Sequence, residues 1–215
     1  MRNLVNIEEP EILATNKVNW QAEYEADPTS DTKKYRYRKR PIKTQAKAET
    51  SSKCAYCESK IGHNTPGDIE HKVPTSVDIT RHFDWTNLTI ACTECNRRKN
   101  DYFSTVKPFL DPYNEDVESQ IVHHGPIVSW APNTPHAEIS IKTLELHNRK
   151  RVDLILRKIE KIGELDERLE RHAKETDLIL KEIVWKEIEE MGNAENEYSG
   201  MINQVLVTYA SAASA

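Results

Sequence analysis

The chain has 215 residues, 37% of them hydrophobic and 30% charged, and carries a formal net charge of −5. That length suits one domain with a real core, or a small domain plus an extension. No apolar run approaches the ~20 residues of a membrane span and no signal-peptide pattern is present, which excludes membrane-spanning classes and leads us to expect a cytoplasmic protein. An acidic chain holds a polyanion only through local basic patches, or with a partner's help.

Residues 1 to about 30 suggest an extended entry around Ile7–Pro10 and one short helix, with Trp20 and Tyr24 at i, i+4 packing against the body. The run Lys33-Lys34-Tyr35-Arg36-Tyr37-Arg38-Lys39-Arg40-Pro41 follows, with no acid between Asp31 and Glu49. Basic residues interleaved with tyrosines suit a phosphate backbone and its bases. A solvated basic linker or helix face is the equal alternative. Arg36, Arg38 and Arg40 are the nucleic-acid candidates here.

All four cysteines lie between positions 54 and 95, as two Cys-x-x-Cys pairs, Cys54 with Cys57 and Cys92 with Cys95. Two such pairs supply four thiolates to one tetrahedral zinc, and a closed Cys₄ site leaves no position for a reacting water. The zinc is therefore expected to be structural, and metal-ligating cysteines fit a reducing interior. The 34 intervening residues must carry structure of their own. Asp68 to Pro74 reads as a short strand ending at a proline, Asn87–Ala91 as a second strand, and the polar, basic run from Thr93 as a short helix. His63 and His82 are weaker competitors for metal. A thioredoxin-like redox protein is disfavoured, since the strand–helix context of its Cys-x-x-Cys is missing.

The order strand, strand, helix, with Glu70-His71-x-x-Pro74, Asn87-Leu88 and Cys92-x-x-Cys95-Asn96-x-x-Lys99, resembles the HNH (ββα-metal) endonuclease family in its zinc-stapled form. The resemblance covers roughly a quarter of the chain. It implies an α+β fold and a metal-dependent cut in DNA that usually leaves a 5′-phosphate. The chemistry agrees: a neutral imidazole takes a proton from water near pH 7, and a divalent ion on oxygen ligands stabilises the phosphate. His71 is then the general base, Glu70 and the Asn96 amide oxygen hold Mg²⁺ or Mn²⁺, and Asn87 fixes the loop and the His71 orientation. Glu and Asn stand where many members carry Asp and His, which leaves the metal preference and any share of Asp68 open. Lys72, Arg97, Arg98 and Lys99 are further candidates for phosphate contact. The rival reading is a non-catalytic zinc module that binds nucleic acid or a partner.

Beyond the module, Lys107–Tyr113 is an extended crossing segment, and Ile121–His124 with Ile127–Trp130 reads as a hairpin about Gly125-Pro126. His123 and His124 point to opposite faces of such a strand and so share no metal. From Ser140 the pattern turns helical, with a stripe of Val152, Ile155, Ile159, Ile162 and Leu169, and Gly163 as a soft point. A second helix is expected from about Thr176 to Met191, then a loose tail. The expected division is an N-terminal basic segment (1–50), the zinc-stapled module with its hairpin (51–138) and a helical extension (139–215). The K-P-F-L-D-P and L-x-L-H-N-R-x-R stretches are similar to HNH proteins found beside retrons and in Septu-type anti-phage systems. That likeness implies an ABC/SMC-like ATPase partner, docked on the extension.

Overall fold

The computed structural model describes residues 1–62 and 67–213, so His63 lies outside the described residues. After an extended entry, α1 (Glu11–Ala26) starts at Pro10, whose φ of −65° is already near the helical value. It is longer than the short helix expected, and it buries Leu13 and Tyr24. The basic run is neither a linker nor one helix face. It breaks into α2 (Asp31–Lys34), a 3₁₀ turn over Tyr35–Arg38, and α3 (Arg40–Glu49), which carries Pro41 in its first turn. Ile42 and Ala46 of α3 are fully buried.

The strands β1 (Asp68–His71) and β2 (Leu88–Ala91) pair antiparallel, with His71 opposite Leu88 and Glu70 opposite Thr89. Two 3₁₀ turns sit between them, Ile79–Arg81 and Trp85–Asn87, each started by an aspartate whose carboxylate accepts a backbone N–H two residues on. Every residue of β2 is buried, because α3 and α4 (Thr93–Lys99) both pack on this small sheet. Burying Leu88 and Ile90 contributes about 1.5–3 kcal/mol each. This is the strand, strand, helix order expected from the motif.

A loop then leads to α5 (Val117–Gln120) and the hairpin of β3 (Ile121–His124) and β4 (Ile127–Trp130), where Gly125 takes a φ of 57° that suits glycine. Next come α6 (Pro135–Thr143), a 3₁₀ turn over Arg149–Arg151, α7 (Val152–Lys174), α8 (Leu178–Met191) and α9 (Ser199–Ala213). Three details differ from expectation. Helix α6 starts five residues before Ser140, at a proline. Helix α7 runs straight through Gly163, and it buries Leu154, Lys158, Leu165 and Leu169 while Val152 and Ile159 face solvent. Of the expected stripe, Leu169 is buried and Ile155 and Ile162 are half-buried, so only Val152 and Ile159 depart from it. Where a loose tail was expected, the described residues Ser199–Ala213 form α9, which buries Met201 and Ile202. Residues from all three expected segments meet in one buried cluster, from Leu13 through Leu88 and Ile141 to Ile202.

Candidate active site and zinc site

The four cysteine sulfurs lie within 4.8 Å of one another, all buried and none in a disulfide. Cys57 Sγ and Cys92 Sγ are 3.8 Å apart, close to the edge of a tetrahedron with ~2.3 Å Zn–S bonds. The first pair is held to the sheet by Ala55 N–H, which donates to the Ile90 carbonyl at 3.0 Å. The second begins α4, with Cys92 Sγ accepting the Cys95 N–H. As thiols alone, the four share charge unequally: hydrogen bonds from Cys54, Cys92 and Cys95 hold Cys57 well below the ordinary thiol range, while burial pushes Cys54 up and hydrogen bonds with its three partners push Cys95 up. Four soft, convergent sulfurs fit zinc, and among the described residues no other three His, Cys, Asp or Glu side chains converge in this way.

His71 ends β1 with a defined tautomer. Its Nε2 lies 3.0 Å from the His82 carbonyl, which can only accept, so Nε2 carries the proton and Nδ1 keeps the free lone pair. The ring is stacked on the His82 ring at 4.7 Å and met edge-on by Tyr37 at 4.7 Å. Burial, reinforced by His82, pushes its pKa down to about 3, so the imidazole is neutral at pH 7. His82 is no metal ligand: its Nε2–H donates to the Lys34 carbonyl at 2.7 Å, leaving Nδ1 to accept from the Thr75 hydroxyl at 2.8 Å. The basic segment thus anchors the ring behind the expected base. Nothing local in the sequence marked Tyr37 or His82 for this position, because Lys34 and His82 are 48 residues apart.

Asn87 is fully buried between the turn before β2 and the loop after β1. Its Oδ1 accepts from Val73 N–H at 2.8 Å, and its Nδ2 donates to the carbonyls of Val73 and Arg81 at 3.0 and 3.1 Å. Both amide hydrogens are used within the fold, so it braces the loop that carries His71.

Glu70 points to the opposite side of β1 from His71. It is 5% exposed and ion-paired with Lys99 of α4, itself 2% exposed, whose Nζ also donates to the His71 carbonyl at 2.9 Å. Burial raises the Glu70 pKa against the pull of Lys99, and Asp101 and Asp68 act in the same direction as burial. Asn96 sits half-buried one turn before Lys99 on the same helix. Carboxylates and an amide are the right donor types for Mg²⁺ or Mn²⁺.

The expected cations divide sharply. Lys99, expected at phosphate, is buried in its pair with Glu70, and Lys72 is drawn to Asp111 at 3.0 Å and lies over the Tyr113 ring. In this arrangement a carboxylate of the fold engages each ammonium. Arg98 is tied to Glu94 and Glu145 and is mostly covered. Arg36 pairs with Glu23 at 2.6 Å. Arg97 is exposed, although it bonds Glu94. Arg38 and Arg40 are exposed too; Arg38 stacks on Tyr35 at 4.3 Å and bonds the Tyr37 hydroxyl, near enough to His71 to lower its pKa further. Arg38, from the N-terminal segment, is the exposed arginine whose charge acts on His71.

Residues 54–102 match the family model described as HNH endonuclease. Two similar curated proteins are both named Septu protein PtuB. One, from Bacillus thuringiensis, is 28% identical over 64 residues, 29% of this chain and 25% of that protein. The other, from Bacillus mycoides (strain KBAB4), is 26% identical over 145 residues, 53% of this chain and 49% of its own length. The chain thus spans at most about half the length of these relatives. Among the described residues, no helix is long and apolar enough to cross a membrane.

Proposed function

We propose that this chain, which carries an HNH endonuclease domain over residues 54–102, hydrolyses DNA phosphodiester bonds as the nuclease of an anti-phage defence complex. The observation that supports this most is the His71 ring: Nε2 committed to a carbonyl, Nδ1 unprotonated, held on three sides. His71 Nδ1 takes a proton from the attacking water as its oxygen bonds to phosphorus and the P–O3′ bond breaks. Arg38 and Arg40 hold the phosphate, and Asn87 keeps the loop in place. Glu70 and Asn96, with Asp68 beside them, are the ligands for Mg²⁺ or Mn²⁺. When bound, such an ion stabilises the charge on phosphate and leaving oxygen.

In this reading the four cysteines hold a structural zinc, and the protein works in the cytoplasm. Its helical extension meets an ABC/SMC-like ATPase. Support for the partner comes from likeness to the Septu proteins and from large apolar side chains in solvent on α8, at Leu178, Ile179 and Ile183. The test is plasmid cleavage by the purified chain with Mg²⁺ or Mn²⁺, alone and with the co-purified partner. His71→Ala should cost ~10²–10⁴-fold in rate at unchanged zinc content. A variant that cuts as fast as the parent removes His71 from the mechanism.

One observation favours the non-catalytic alternative: the Glu70 carboxylate is turned inward to Lys99. Isothermal titration of Mn²⁺ separates the two readings. Binding lost in Glu70→Gln supports the nuclease, and no binding to the parent supports the module that only grips nucleic acid or a partner.

A further inference from the structure

The helical extension reaches the cysteine cluster through a residue that the proposed hydrolysis does not use. Arg151, in the turn before α7, is 7% exposed. Its Nη1 donates to the Leu144 carbonyl at 2.9 Å, and Nη1 and Nη2 lie 3.7 and 3.6 Å from Cys95 Sγ. The guanidinium is therefore pinned at one edge by the backbone that closes α6, and its fork faces one sulfur. Four thiolates around Zn²⁺ leave a net charge of −2, and such a charge is costly to bury unmatched. Lys158, seven residues on and 3% exposed, is a second buried cation of the extension, and Glu58 is the first of the anions that sustain its charge. A guanidinium suits the inner place, being weakly hydrated and able to bond two partners at once.

We propose that Arg151 is an outer partner of the zinc centre: it neutralises and orients the Cys95 thiolate, and so makes firm zinc binding depend on the helical extension. This rests on reading the four cysteines as a zinc site. The pair is 56 residues apart in sequence and joins the end of the H-N-R-x-R stretch to the start of the metal-bearing helix.

The test is zinc release from the zinc-loaded full chain, followed with a chromogenic chelator as a function of time and pH. Arg151→Met should lower zinc affinity about 10–100-fold, the range for lost outer partners. It should also move the release midpoint to higher pH, because removing the cation raises the thiolate pKa. Arg151→Lys keeps the charge without the fork and should fall between. A merely architectural arginine would lower the melting temperature but leave the pH midpoint of the folded protein unmoved. Parental release rate and midpoint in both variants would overturn the proposal, and if Arg151→Met does not fold, Arg151→Lys decides it alone. A parent chain that binds no zinc sinks the zinc reading itself, and this inference with it.

Discussion

The stretch from Cys54 to Lys99 and the α7–α8 pair close themselves by opposite means. In the first, charge is turned inward and matched: Glu70 with Lys99, and Arg151 with Cys95. In the second, Lys158 apart, charge stays outside as one-turn pairs such as Lys186–Glu182, and large apolar groups stand in water, Leu178 at 81% and Ile179 at 72% exposure. The module depends on a few groups of particular chemistry, so single changes there should be severe. The helix pair depends on apolar contact spread along one face, so its outer face tolerates change and is free to be covered.

The largest contrast should follow removal of the metal ligands. Metal analysis should find about one Zn²⁺ per chain, and Cys92→Ser should unfold the module, because structural zinc binding is itself folding free energy. Circular dichroism melts with and without a chelator would check this, and a Cys54–Cys57 disulfide in the native protein would overturn it.

Next in size is the buried ion pair. Lys99→Met leaves the Glu70 carboxylate uncompensated and should cost about 3–5 kcal/mol in urea unfolding. Adding Glu70→Gln should return part of that loss. If the single variant is as stable as the parent, the pair is not the buried contact described here.

A smaller effect should appear with pH. Burial pushes down the pKa of His71 to about 3 and of His123 to about 2, and that of His82 also falls. Each takes up a proton near pH 6.5 when the chain unfolds. Above that pH neither state binds it and the contribution is flat. Below it only the unfolded state does, so stability falls as pH drops from about 6.5 toward 3. His123 lies on the hairpin outside the module, and His123→Phe should flatten the slope by about one proton. Melting temperature across pH 4–8, a range set by those pKa values, measures it; an unchanged slope would place His123 in water.

The smallest effect on the isolated chain should come from the exposed face. Leu178→Glu with Ile179→Glu should shift stability by no more than about 0.5 kcal/mol per site. The same change should release the partner in a pull-down, and full retention would move the interface elsewhere.

Much of the site was legible because its signals are local. Cys-x-x-Cys spacing, a strand-like run before Pro74, which pairs only as far as His71, and a basic run after Cys95 each specify a short element through covalent geometry and nearest neighbours. β1, β2, α4 and the β3–β4 hairpin stand where those patterns put them. What only tertiary structure decided was which charges are free and which face of each helix is inward. Lys72 and Lys99 look like phosphate ligands in a basic stretch, yet Asp111 and Glu70 claim them across 39 and 29 positions. The stripe on α7 is apolar on two sides, so periodicity alone found Leu169 but could not choose the rest of the buried phase; packing selected Leu154 and Leu165 over Val152 and Ile159. Arg151 reads as one more cation in Arg149-Lys150-Arg151. Its role comes from Cys95, brought beside it by the fold, because burial in a low-dielectric interior makes the nearest opposite charge decisive and chain distance irrelevant.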